Sequence, residues 1–179
     1  MKKYILTLLL FVSFFAFKNI DANVIRLYQE GDHAILRAMM AGNEDLLLPG
    51  ADLESRILAT VKFFGSKNYT TKVYVNDEKP IGFITYQKEL SGNRVFRWIL
   101  GSPGCIQLFN VHEGHRRQGI GVALINDALV DMKSKGFDAI ILQTKVANIP
   151  ARAFYEKHGF ILSFPVAPGA TDCLYKLTN

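Results

Sequence analysis

The residues with the clearest chemical potential are Arg116-Arg117-Gln118-Gly119-Ile120-Gly121, set between an apolar run, Cys105–Val111, and Val122-Ala123-Leu124-Ile125. This order reads as a strand, a basic glycine-containing loop and a helix that starts where the loop stops. The first turn of a helix carries N–H groups without partners at the positive end of its dipole, so such a junction can hold phosphate. Gly119 and Gly121 let a ligand approach the backbone, and Arg116 and Arg117 add positive charge. Two common nucleotide patterns are excluded. A triphosphate loop needs Lys-Ser or Lys-Thr after its last glycine, where this chain has Ile120-Gly121. A dinucleotide fingerprint needs Gly or Ala where this chain has Leu124. Taken by itself, the stretch also fits a polar turn between a buried strand and an amphipathic helix.

The elements that must position this loop follow from periodicity. Val24–Leu27 is a short strand, and Asp32 is placed to cap a helix bearing Ile35, Leu36, Met39 and Met40 on one side. Gly42, Pro49 and Gly50 break it. A second helix from Asp52 carries Leu53, Ile57, Val61 and Phe64 at helical spacing. A meander follows: Lys72–Asn76, a turn at Asp77-Glu78-Lys79-Pro80, Ile81–Lys88, a turn at Ser91-Gly92-Asn93, then Val95–Leu100. Past the loop, a helix over about 119–135 turns Val122, Leu124, Ile125, Ala128, Leu129 and Met132 to the core, and Gly136 stops it. Ala139–Thr144 is apolar enough for a central strand. Asn148-Ile149-Pro150-Ala151 opens a short helix through Phe154 and Tyr155, which Gly159 ends. Phe160-Ile161-Leu162 and Asp172–Leu177 complete an α/β layer with helices packed on a sheet.

The totals bound the answer. With 179 residues the chain has room for one domain. Its net charge of +5 forms no long basic run, which gives nucleic acid no evident footprint. Cys105 and Cys173 are too few for a disulfide framework or a metal site and are expected as buried or half-buried thiols. Lys2-Lys3 ahead of the apolar run Ile5–Phe17 has the form of an export signal and is short for a membrane span. Residues 1–22 are therefore expected to be a signal peptide or N-terminal anchor, with transient membrane contact through 4–17, and 23–179 the folded domain. Cleavage would give a periplasmic or secreted protein; retention would give an anchored or cytoplasmic one. Asn68-Tyr69-Thr70 also has the form of a glycosylation acceptor, meaningful only on a eukaryotic export route.

With Arg116–Gly121 and the segment Asn148, Ala151, Phe154-Tyr155-Glu156-Lys157, Gly159-Phe160 both in view, the chain resembles the GCN5-related N-acetyltransferase family. The resemblance implies a mixed, mostly antiparallel sheet flanked by helices, with a splayed central strand pair. It implies direct acetyl transfer from acetyl-coenzyme A to a primary amine, by a monomer or homodimer. Backbone N–H groups of Arg117, Gln118, Gly119, Ile120, Gly121 and Val122 would hold the pyrophosphate, beside Arg116. Backbone groups of Phe109 and Val111 would hold the pantetheine arm, in the gap opening near Leu142. An N–H aimed at the thioester oxygen would stabilise the charge that builds there. Tyr155 would protonate the departing thiolate, or else pack at a helix–sheet seam. Asn148 would bond the cofactor or cap its helix, and Phe154 would edge the groove or belong to the core.

The sequence departs from the family at the base. Cys105–Val111 holds no carboxylate; Gln107 and Asn110 could hold a water, but neither is basic enough to act alone. His112, Glu113, Glu89 and a bound water all stand as candidates. Cys105 has no evident activating neighbour, which favours direct transfer over an acyl-enzyme. A catalytically weak or inactive coenzyme A-binding regulatory module is the alternative. The first two helices and the loop 163–171 would build the acceptor face, open to a small amine or to a protein or peptide amine.

Overall fold

A computed structural model describes residues 23–87, 103–163 and 172–178. The leader-like residues 1–22, the expected turn Ser91–Asn93, the strand Val95–Leu100, the base candidate Glu89 and most of the loop 163–171 lie outside the described residues.

The strands are β1 (Val24–Leu27), β2 (Tyr69–Asn76), β3 (Lys79–Gln87), β4 (Pro103–Val111), β5 (Ala139–Lys145), β6 (Ile161–Leu162) and β7 (Asp172–Thr178). The helices are α1 (His33–Ala41), α2 (Leu53–Val61), α3 (Ile120–Ser134) and α4 (Ile149–Lys157). The seven strands form one sheet in the order β1-β2-β3-β4-β5-β7-β6. Every pairing is antiparallel except β4 with β5, which is parallel. The expected mixed, mostly antiparallel layer is what forms.

Strand alternation divides the core between the two faces. Ile84, Ile106, Leu142 and Tyr175 pack with Leu124, Ile125, Ala128 and Met132 of α3. Val73, Val75, Phe83 and Leu108 pack on the other face with Leu36, Met40, Ile57 and Val61 of α1 and α2. Two glycines let α3 lie close. A Cβ on Gly104 would collide with Met132 and the Phe137 ring, and one on Gly82 would press on Leu124 Cδ1 at 3.1 Å and Ile120 Cγ2 at 3.2 Å.

Several local expectations are corrected. Asp32 stands before α1 but does not cap it; its carboxylate takes two 2.7 Å bonds from Arg26 and one of 2.8 Å from the Gln29 N–H. Asp52 does cap α2, accepting from Ser55 N at 2.8 Å. The β2–β3 turn is only Asp77-Glu78, both at positive φ, so Lys79 and Pro80 already belong to β3. Val122 is 41% exposed and does not join the buried side of α3. Gly136 and Gly159, with φ of 76° and 83°, follow the ends of α3 and α4 as expected.

Candidate functional site

The site begins where two neighbouring strands part. β4 and β5 pair from Pro103↔Ala139 to Ile106↔Leu142 and no further. Beyond that rung β4 stays zipped to β3 as far as Val111, and β5 stays zipped to β7 as far as Lys145. Gln107 marks the parting: opposite β3, Tyr86 pairs with Ile106 and Thr85 with Leu108, leaving Gln107 as the extra residue of a bulge. A bulge bends its strand and increases its twist, which turns β4 away from β5. The His112 N–H donates to Ile81 O at 2.9 Å, toward β3. By alternation, the backbone groups of Phe109 and Val111 face the opposite side, into the gap. Val111 O accordingly accepts from Arg116 Nε at 2.9 Å and not from β3.

At the mouth of the gap the chain makes a 3-10 turn (Glu113–His115) and then the basic loop. Arg116 closes this loop, its second contact running from Nη2 to Asn43 Oδ1 at 3.4 Å, and Gln118 Nε2 donates to Gly114 O at 3.4 Å. Arg117 and Gly119 both take positive φ, 65° and 84°. Gly119 is the N-cap of α3 and no side chain caps the helix there. The first bond into the helix is Ala123 N–H to Gly119 O at 3.0 Å, so the N–H groups of Ile120, Gly121 and Val122 have no acceptor within the helix. Arg116–Gly119 is exposed, and a Cβ on Gly119 would meet nothing within 4 Å. A Cβ on Gly121 would point to the rings of Phe109 and Phe154, both at 3.6 Å. An open, uncapped helix N-terminus with consecutive donors at the end of a strand gap fits a pyrophosphate followed by an extended arm.

Tyr155 sits beside this gap on α4. Its ring lies 5.6 Å from Phe154, 5.8 Å from Phe160, 6.3 Å from Tyr175 and 6.4 Å from Phe109, centroid to centroid. Its hydroxyl has no hydrogen-bonding partner among the described residues, and burial pushes its pKa above the ordinary tyrosine value. The phenol therefore keeps its proton throughout the neutral range. Phe154 is half-buried against Phe109 at 5.6 Å and His158 at 4.3 Å, serving core and groove edge together. Asn148 is the N-cap of α4, its Oδ1 accepting from Ala151 N at 3.2 Å.

The expected water-holding pair is differently employed. Asn110 is buried and its amide donates to Met39 O on α1 at 3.2 Å, while Gln107 Nε2 donates to Cys105 Sγ at 3.2 Å. His112 and Glu113 are exposed on the loop, the His112 ring 5.7 Å from that of His115 and tilted 60° to it. Cys105 is buried and its thiol is pushed up to about 12 by that burial, which denies it a nucleophile's thiolate. Among the described residues no group of His, Cys, Asp and Glu could hold a metal ion. Sequence reasoning overlooked Asn43, which anchors Arg116, and Arg152 and Tyr175, which brace α4. A lone Asn or Tyr outside any motif carries no sign of such a contact.

The profile of the Acetyltransferase (GNAT) family matches residues 42–160, most of the chain and all of this site. The chain belongs to that family. Streptothricin acetyltransferase A of Bacillus subtilis (strain 168) is 31% identical over 102 residues, 56% of this chain and 56% of that protein. N-alpha-acetyltransferase 30 of Schizosaccharomyces pombe (strain 972 / ATCC 24843) is 30% identical over 88 residues, 49% of this chain and 55% of its own. The chain thus spans about half the length of these relatives. The crystal structure of Arabidopsis thaliana NAA60 in complex with acetyl-CoA superposes with a TM-score of 0.66 over 87% of this chain and 97% of that one, at 19% identity. The GNAT fold is common to both.

Proposed function

We propose that this GNAT chain is an acetyl-coenzyme A-dependent N-acetyltransferase acting on a primary amine by direct transfer. The observation that carries the reading is the strand gap ending at an uncapped helix N-terminus, with a protonated tyrosine beside it whose hydroxyl has no partner among the described residues. Bound acetyl-coenzyme A supplies an acyl group on a thioester, whose C–S bond breaks as the amine forms its N–C bond. The N–H groups from Arg117 to Val122 hold the pyrophosphate, and the charge of Arg117 faces it from the exposed loop. Arg116 shapes that loop through Val111 O and Asn43. The backbone of Phe109 and Val111 pairs with the arm in strand fashion, while Phe154 walls the groove and Asn148 steadies α4. Tyr155 holds a proton at its hydroxyl for the departing sulfur. With Cys105 un-ionised and no carboxylate on β4, the amine's proton leaves through water, with His112, Glu113 and Glu89 as candidates to receive it.

The deciding experiment incubates purified full-length chain with acetyl-coenzyme A and a panel of small amines, peptide N-termini and lysine peptides. Amine-dependent thiol release together with acetylated acceptor supports the reading. Tight coenzyme A binding without transfer to any of them replaces it by the regulatory module, which the committed amides of Gln107 and Asn110 favour.

We also propose export, supported by Lys2-Lys3 and the apolar run Ile5–Phe17. Among the described residues no helix is long and apolar enough to cross a membrane. Sequencing the mature N-terminus tests this proposal: loss of about the first 22 residues supports it, and an intact Met1 in the cytosolic fraction overturns it.

A further inference from the structure

Four aromatic rings surround that of Tyr155, but among the described residues nothing bonds to its hydroxyl, so its position depends on how α4 is held. α4 has nine residues, too short to be fixed by its own hydrogen bonds. One buried group of β7 meets it. The Tyr175 hydroxyl accepts from Arg152 Nε at 3.2 Å and donates to Glu156 Oε1 at 2.6 Å. Arg152 and Glu156 are four residues apart and share one face of the helix, bracketing Tyr155 along the chain. Arg152 also donates from Nη1 to Val146 O at 3.2 Å, tying the same face to the turn that follows β5.

Tyr175 is itself fully buried and paired with Leu142. Leu142 pairs in turn with Ile106, the last rung before β4 and β5 part. A single row, Ile106–Leu142–Tyr175, therefore crosses three strands at the point where the gap opens. We propose that Tyr175 is a positioning residue, whose hydroxyl bridges Arg152 and Glu156 to hold Tyr155 at a fixed height over the gap. This inference rests on the acetyltransferase reading of Tyr155.

The test is Tyr175→Phe, which keeps the ring and its packing and removes only the bridge. Hydrogen bonds to charged groups are among the stronger ones, so turnover is expected to fall about ten-fold. KM for acetyl-coenzyme A is expected to stay within about two-fold, because the pyrophosphate loop is untouched. Glu156→Ala is expected to match Tyr175→Phe, the double variant to fall no further than either, and Glu156→Gln, which keeps an acceptor oxygen, to hold turnover above Glu156→Ala. Unchanged turnover in Tyr175→Phe, or additive losses in the double variant, overturns the proposal. Tyr155→Phe separates the two claims. If it leaves turnover intact, the acid assignment fails and the clamp has nothing to position; if it lowers turnover while Tyr175→Phe does not, only the clamp fails. Should the wild-type chain transfer no acetyl group, amide hydrogen exchange across 149–157 decides: faster exchange in Tyr175→Phe supports the clamp, and unchanged exchange overturns it.

Discussion

Gly119 and Gly136 stand at the two ends of α3 and make a matched pair. Both have positive φ, 84° and 76°, and at both a Cβ would meet nothing within 4 Å. Alanine at either therefore introduces left-handed strain of about 1–2 kcal/mol and no collision. At Gly136 that strain has no relation to a ligand, so Gly136→Ala should lose about that much stability and keep its coenzyme A affinity. At Gly119 the left-handed turn sets the open N–H groups of the first helical turn, which the proposed function assigns to the pyrophosphate. Without ligand the loop can relieve the strain by turning residue 119 to negative φ, which points the donors apart. Binding must then restore the strained form, so the same 1–2 kcal/mol appears in affinity as a loss of about 5- to 30-fold. Titration calorimetry with coenzyme A, alongside urea denaturation, measures both quantities on both variants. Coenzyme A affinity in Gly119→Ala within two-fold of wild type would refute the cradle.

Four further outcomes follow from the same geometry. Tyr155→Phe should lower turnover more than it lowers cofactor affinity. Because burial raises the Tyr155 pKa, the acid stays protonated up the pH scale, so pH–rate profiles should show no alkaline fall due to Tyr155 below about pH 10. Asp32 is opposed by its own burial, yet Arg26 and the Gln29 N–H prevail and hold its pKa below the usual value. Its contribution is present above the unfolded carboxylate value of about 4 and is lost as pH falls through the lower folded value, so Arg26→Met should cost stability at pH 7 and flatten acid denaturation. Gly104→Ala should destabilise by about 1–3 kcal/mol or more through overpacking against Met132 and Phe137, read as a fall in Tm.

Much of this arrangement is legible in residue order, for reasons that differ by element. The strand–loop–helix unit and the Asn148–Phe160 segment combine local periodicity with glycines at φ values only they adopt readily, so both the elements and their stops can be read. Contacts between distant residues cannot. β2 begins at Tyr69, ahead of the expected Lys72, because buried Thr71 is satisfied by Thr85 across the strand pair at 3.0 Å, a partnership only the register creates. Asp32 has the local signature of a cap, but Arg26 on β1 offers a charge-assisted pair that wins. Val122 has the right period for the core yet is 41% exposed in the first turn of α3, where Ile120 and Leu124 take the buried positions. The Asp77-Glu78 turn lacks the glycine that usually marks so tight a hairpin.

The central claim is that coenzyme A lies along the β4–β5 gap with its pyrophosphate on the α3 N-terminus. Backbone amide shifts from heteronuclear NMR, recorded with coenzyme A and separately with pantetheine, test it residue by residue. Coenzyme A is expected to move the amides of Arg117–Val122 together with those of Phe109 and Val111. Pantetheine, which lacks the pyrophosphate, is expected to move Phe109 and Val111 while leaving the loop in place. Coenzyme A bound with the Arg117–Val122 amides unmoved would contradict the account.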